Sequence, residues 1–212
     1  MDQTSAAIVG KEHWTKKGGV RLFLWEKRAT GMQDKRGTII FVHGSSMAST
    51  PAFDFQMPGK PDASLMDWFV RQGFDTWCVD MEGYGRSDKH RDINCDIPNG
   101  ADDLEAATDY IIRTRGTPKF LMYGSSSGAL RAALFAQRHP ERVAWLALDA
   151  FVWTGKGSPT LAERSRKLSE YLANNRRKID RAFVDSMKQL NYRIAYHILL
   201  SFFSQPEPIY RG

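Results

Sequence analysis

The sequence predicts an α/β fold: a mostly parallel sheet of about six strands with flanking helices, followed by a helical segment. Three observations carry that expectation. Short apolar runs rich in β-branched and aromatic residues alternate with stretches of helical periodicity, the pattern of buried strands linked by crossover helices. Three of those runs end in polar turns containing glycine or serine. Beyond Phe151 the strand pattern stops and helical periodicity continues alone.

The elements follow in chain order. Val20-Arg21-Leu22-Phe23-Leu24-Trp25-Glu26 alternates in part and reads as a strand. A weaker strand around residues 11–15 precedes it, with Lys17-Gly18-Gly19 as the hairpin turn. Thr38-Ile39-Ile40-Phe41-Val42 reads as a strand buried on both faces and ends at His43-Gly44-Ser45-Ser46. A long loop over residues 47–61 follows. Its Phe53, Phe55 and Met57 have two readings, lining for a substrate mouth or packing of the loop on itself. Leu65, Trp68 and Phe69 at i, i+3, i+4 predict a helix closed by Gly73. Phe74-Asp75-Thr76-Trp77-Cys78-Val79 is the next buried strand, ending at Asp80. Leu104, Ala107, Ile111 and Ile112 mark a second helix, with acids early and arginines late as its dipole favours.

Lys119-Phe120-Leu121-Met122-Tyr123 is a further strand. It runs through Gly124-Ser125-Ser126-Ser127-Gly128 into a third helix that reaches about His139-Pro140. Residues 143–149 form the next strand. Ser158-Pro159 starts a helix with Leu161, Leu168 and Leu172 on one face. Ile179, Phe183, Met187 and Leu190 predict another, and residues 192–203 a third. The expected organisation is residues 1–155 as a sheet-based core, 156–203 as a helical segment and 204–212 as a tail.

Composition narrows the function classes. The net charge of +6 suggests nucleic acid until it is located. Residues 1–155 hold 19 basic and 19 acidic side chains, and the excess lies in residues 156–193, with 10 basic against 4 acidic. One solvated helical segment accounts for it, so no nucleic-acid partner is expected. The most apolar stretch, residues 194–203, is too short to span a bilayer. Cys78 and Cys95 have no metal-ligand spacing. Cys78 lies in an apolar run as a free thiol, and with no visible signal peptide this points to the cytoplasm. No metal or other cofactor is expected.

The chemistry concentrates at the strand ends. Gly124-x-Ser126-x-Gly128 places a serine on a sharp strand-to-helix turn, with glycines where side chains would collide with neighbouring backbone. With His43-Gly44-Ser45-Ser46 and Asp80-x-x-Gly83-x-Gly85-x-Ser87 before it, in that order, the stretch over residues 10–155 resembles the α/β-hydrolase superfamily, in its serine-nucleophile branch. The resemblance implies a hydrolase of carboxylic esters or related acyl bonds acting on a small-molecule substrate. In it Ser126 would be the nucleophile, and the backbone N–H groups of Ser45 and Ser127 would receive the oxyanion. Asp149, at the end of its strand, has two readings, catalytic acid or ordinary strand-end residue. His43 reads as loop scaffold and Asp80 as a brace for its own turn. His139 reads as an exposed helix end, and His13, His90 and His197 as residues of flanking or mobile regions.

The family also has two further core strands and a catalytic histidine after the last of them. No segment after residue 156 carries a strand pattern, and no histidine follows His197. The chain therefore reads as C-terminally truncated relative to the family, with residues 156–203 resembling its cap. Two functions stay open: a serine hydrolase, or an inactive chain that binds a ligand or partner. The strand over residues 143–149 should be an exposed edge, covered by residues 192–203 or by a second copy in a homo-oligomer.

Overall fold

The computed structural model describes residues 7–31, 35–45, 47–152, 154–178 and 209–210. Two long strands, β1 (Ile8–Lys17) and β2 (Val20–Ala29), form an antiparallel hairpin turned at Gly18, whose φ of 55° suits glycine. β1 is twice the expected length: its buried residues are the polar His13 and Thr15 while Trp14 stands 43% exposed, which hides the alternation. Next come β3 (Gly37–Val42) and the one-turn helix α1 (Ser49–Phe53), which lies within the stretch expected to be loop. Then follow α2 (Leu65–Arg71), β4 (Phe74–Val79), α3 (Ile97–Arg115), β5 (Phe120–Ser125), α4 (Ser127–Arg138) and β6 (Val143–Asp149).

The six strands form one sheet in the order β1-β2-β4-β3-β5-β6. β2 runs antiparallel to β4, while the β4–β3, β3–β5 and β5–β6 pairs are parallel. β3 is central because Ile39, Ile40, Phe41 and Val42 are all buried. Each such side chain contributes about 1.5–3 kcal/mol on burial. Strand propensity spans only about 1 kcal/mol, so burial rather than propensity places this strand. Parallel connection brings the C-terminal ends of β3, β4, β5 and β6 to one edge of the sheet.

The helices hold that edge in place. Ser64 caps α2, its hydroxyl accepting from the Asp67 N–H. Met66 and Val70 face the core while Trp68, expected inside, leans out at 44% exposure. α3 begins at Ile97 under the Asp96 cap, earlier than its apolar positions indicated. Asp102, Asp103 and Glu105 therefore fall beyond its first turn, and the dipole no longer accounts for them. Asp103 is buried and pairs with Lys17 of β1 at 2.5 Å instead. At the other end Arg115 grips Glu26 of β2 through two bonds of 2.6 Å. His13 joins the same carboxylate at 2.8 Å and the Tyr110 hydroxyl at 2.9 Å. His13 is thus a buried clamp between hairpin and helix, not a mobile flanking residue.

β6 pairs only with β5 among the described residues, and Trp145 stands 74% exposed on it, as an edge strand should. The expected cover, residues 192–203, lies outside the described residues, as does the helix expected from Ile179. The helix expected from Ser158 is two short ones, α5 (Pro159–Arg166) and α6 (Leu168–Ala173), broken at Lys167. Leu168 and Leu172 are exposed on α6, so the shared apolar face is not realised. Where no further strand was expected, β7 (Arg177–Lys178) pairs with β8 (Ile209–Tyr210) in a two-residue antiparallel bridge.

Candidate active site

Ser126 sits between β5 and α4 with φ 57° and ψ −125°. A non-glycine residue held there costs on the order of 1–3 kcal/mol and persists only where its surroundings fix it. They do so here. The Ser126 N–H donates to the Asp149 carbonyl at 2.9 Å, and its own carbonyl accepts from Ala129 at 3.0 Å. A Cβ at Gly124 would lie 2.6 Å from the Gly128 carbonyl oxygen. One at Gly128 would lie 2.2 Å from that of Val42. Ala150 shares the unusual torsion, at φ 49°, and nothing in the structure explains it.

The loop after β3 closes on the serine. A Cβ at Gly44 would come 3.2 Å from that of Ser126 and 3.6 Å from its Oγ. The Ser45 and Ser127 hydroxyls bond at 2.9 Å, so the two residues expected to serve the oxyanion are neighbours. Ser127 is the first residue of α4, so its N–H has no acceptor within the helix and carries the positive end of the dipole. A cavity of about 280 Å³ opens beside Ser126, walled by Gly44, Ser45, Met47, Ala52, Phe53, Leu65, Tyr123 and Ser125. Phe53 therefore lines this cavity, while Phe55 lines a separate one beside Asp80 and Arg86. Met57 is in a tight turn, bridged to Lys60.

Residues 33–192 match the profile of the serine aminopeptidase (S33) family of hydrolases. The chain belongs to that family, whose fold is the α/β-hydrolase fold. This serine aminopeptidase-family chain is 33% identical to the proline iminopeptidases of two Neisseria meningitidis strains, serogroups A and B, over 150 residues. The aligned part is 66% of this chain and 44% of each relative, so the chain spans less than half of their length. A thioesterase domain from the curacin biosynthetic pathway superposes with a TM-score of 0.58 at 16% identity, over 91% of this chain and 67% of that domain. A predicted CIB-like hydrolase from Thermoplasma acidophilum gives 0.54 at 20% identity, over 71% and 67%. At those identities the likeness speaks to fold. No described helix of this chain is long and apolar enough to cross a membrane.

The histidines lie as follows. His43 is buried, donates from Nδ1 to the Gly44 carbonyl at 2.7 Å and accepts the Met81 N–H at Nε2, 3.0 Å away. Burial and then the Arg131 guanidinium push its pKa down to about 4, so the ring is a neutral brace between two loops. His139 caps the far end of α4, about 18 Å along the helix at 1.5 Å per residue. It is half-buried against Phe135 rather than exposed. His90 is a surface residue near Asp88. His197 lies outside the described residues.

Asp149 pairs with Ser125 in the β5–β6 register, and its carboxylate accepts from the Tyr123 hydroxyl at 3.0 Å and from Ser125 at 3.1 Å. Burial and this carboxylate raise the Tyr123 pKa to about 12. Asp80 accepts from the Ser49 N–H and hydroxyl and from the Arg86 N–H, all within the turns beside the site. Sequence reading missed Tyr123 and Arg131. The period of two, which puts Tyr123 and Ser125 on one face, was the signal for the first. Arg131 was legible too, three residues after Gly128 and four before Phe135 on the buried stripe of α4. It is buried, and donates to the carbonyls of His43 and Cys95, each at 3.2 Å.

These groups set an acid limit. His13 and His43 titrate below the ordinary 6.5 in the folded chain, burial being the main cause. Unfolding then takes up protons below that pH, so their contribution is complete above about 6.5 and fades as pH falls, for His43 down to about 4. Glu82 follows at lower pH: burial pushes its carboxyl up, but Arg91 and Lys17 together hold it down, to about 2. Its contribution is present above about 4.5 and lost below. Asp103, raised by burial, opposes the trend. Urea unfolding should show stability falling from pH 7 to pH 4, by on the order of 3 kcal/mol from His43 alone. A flat profile between pH 7 and 5 contradicts the buried neutral His43.

Proposed function

We propose that the protein is a serine acyl hydrolase in which Ser126 attacks the carbonyl carbon of an ester or amide. The observation that carries this reading is the constrained torsion of Ser126 at the head of α4, packed against Gly44. As the Oγ–carbon bond forms, the serine proton passes to a base and the carbonyl oxygen becomes an oxyanion. The N–H groups of Ser45 and Ser127 receive that charge, and the helix dipole adds to their effect. Expulsion of the leaving group with the proton gives an acyl-serine, which water then cleaves. Asp149 orients Tyr123 and Ser125 at the strand end in this reading. The base comes from outside the described residues, because the described histidines are held elsewhere. The proline iminopeptidase relatives favour amides and the curacin thioesterase domain thioesters. The fold does not choose between them.

That same engagement of the histidines favours a second reading, a ligand-binding chain without turnover. One experiment separates the two. A fluorophosphonate probe should label the purified chain, with p-nitrophenyl acetate turned over, and Ser126→Ala should abolish the labelling and lower turnover at least a thousandfold. Labelling that survives the substitution removes Ser126 from the mechanism. A wild-type chain that never labels leaves the binding reading.

A further inference from the structure

Arg131 of α4 is a buried cation, 2% exposed, and among the described residues no carboxylate pairs with it. Its guanidinium donates to two backbone carbonyls instead, that of His43 from one terminal nitrogen and that of Cys95 from the other, each at 3.2 Å. Its Nε–H meets no acceptor among those residues. The surroundings are unfavourable on a second count. Arg131 stands near the start of α4, and Gly100, near the start of α3, makes room for its stem: a Cβ there would lie 2.4 Å from the Arg131 Cδ. Two positive helix ends therefore flank a positive side chain. Buried arginines are ordinarily paired. On the stripe formed by Gly128, Ala132 and Phe135, an apolar side chain would carry no such penalty.

What the guanidinium grips is the loop after β3. Its bond to the His43 carbonyl fixes the peptide between His43 and Gly44. The next peptide is fixed by the His43 ring, whose Nδ1 donates to the Gly44 carbonyl at 2.7 Å. A trans peptide points its C=O and its N–H in opposite directions. The bond on the Gly44 carbonyl therefore aims the Ser45 N–H, and it also makes that N–H a stronger donor. The imidazole keeps this bond and the one it accepts from the Met81 N–H only as the neutral Nδ1–H tautomer. Burial first, and the Arg131 charge second, hold it in that form against the pull of Asp80. The Tyr84 ring packs against both, with its centroid 4.8 Å from that of His43 and 5.5 Å from the guanidinium carbon.

We propose that Arg131 is a positioning residue for acyl transfer, a buried cation whose grip on two carbonyls sets the loop that aims the Ser45 N–H at the oxyanion. The proposal rests on Ser126 as the nucleophile and adds what aligns one of its oxyanion donors. The effect is specific in kind. The Ser45 N–H meets a full negative charge only as the tetrahedral species forms, so a misaimed donor lowers kcat and leaves KM nearly unchanged. A side chain that only filled space would affect stability without that split.

The test compares three variants of the full chain. Arg131→Met keeps the length and loses the charge and the donors. Arg131→Lys keeps the charge, but its single nitrogen reaches one carbonyl rather than two. Arg138→Met is the matched control on the same helix, where the half-exposed Arg138 meets Asp102. With p-nitrophenyl acetate, kcat should fall about a hundredfold in Arg131→Met and about tenfold in Arg131→Lys, with KM within about threefold of wild type. Arg138→Met should stay within about twofold of wild type in both. The His43 ring nitrogens, followed by 15N NMR, should titrate at a pH higher by roughly half a unit in Arg131→Met and at an unchanged pH in Arg131→Lys. A kcat in Arg131→Met no lower than in the control, or a loss carried by KM, overturns the proposal while labelling of Ser126 leaves the nucleophile reading intact. If Arg131→Met does not fold, Arg131→Lys decides: a tenfold loss of kcat at constant KM supports the proposal, and wild-type kcat overturns it. If the wild-type chain never labels, the nucleophile reading fails separately, and hydrogen exchange at the Gly44 and Ser45 amides reads the loop. Exchange at least tenfold faster in Arg131→Met, relative to the Ile40 amide of β3, supports the grip, and an unchanged ratio overturns it.

Discussion

Gly128→Ala is expected to cost roughly 3 kcal/mol or more and to leave little folded protein. The added methyl would sit 2.2 Å from the Val42 carbonyl oxygen, 2.6 Å from that of His43 and 2.8 Å from the His43 carbonyl carbon. All three are backbone atoms, and they belong to the central strand and the loop that leaves it. Overpacking usually costs about 1–3 kcal/mol because side chains can shift. Here α4 itself must back away from the sheet, which also opens the gap between Ser126 and Gly44. Gly19→Ala is the matched control, since its Cβ meets nothing within 4 Å. Thermal or urea unfolding of the two variants decides the matter. Equal stabilities would mean that α4 does not lie this close to β3.

Asp80→Ala is the second large effect, about 3–5 kcal/mol. Its carboxylate is buried and accepts from the Ser49 N–H at 2.8 Å, the Ser49 hydroxyl at 2.5 Å and the Arg86 N–H at 2.9 Å. Alanine leaves those donors without their acceptor, at about 1–3 kcal/mol for each that water cannot reach. Asp80→Asn keeps one acceptor oxygen and should lose less than half as much. Urea midpoints for the pair give the comparison. If alanine and asparagine cost the same, the loss is one of charge rather than of acceptors.

Much of this was readable before any coordinates. The strands through Ile40, Trp77 and Met122 announce themselves because burial on both faces leaves uninterrupted apolar runs, and the tight turn at Ser126 because only glycine tolerates the approach at 124 and 128. What hid from the sequence depends on partners remote in the chain. His13 looks like any polar residue of an edge strand until Glu26 and Arg115 are brought to it. Asp103 looks like helix-dipole chemistry until Lys17 reaches it. Asp149 was ambiguous because strand position does not reveal that Tyr123 and Ser125 occupy its oxygens. The long loop concealed α1 because one turn of helix is shorter than any periodicity that could betray it.

The torsion of Ser126 has a consequence for how this sequence can drift. Glycine occupies that region of backbone space without strain, so replacing the serine would return stability to a chain that gains nothing from the hydroxyl. Mutation alone runs downhill from serine to glycine at position 126. Ser126→Gly should therefore unfold at a higher urea concentration than Ser126→Ala.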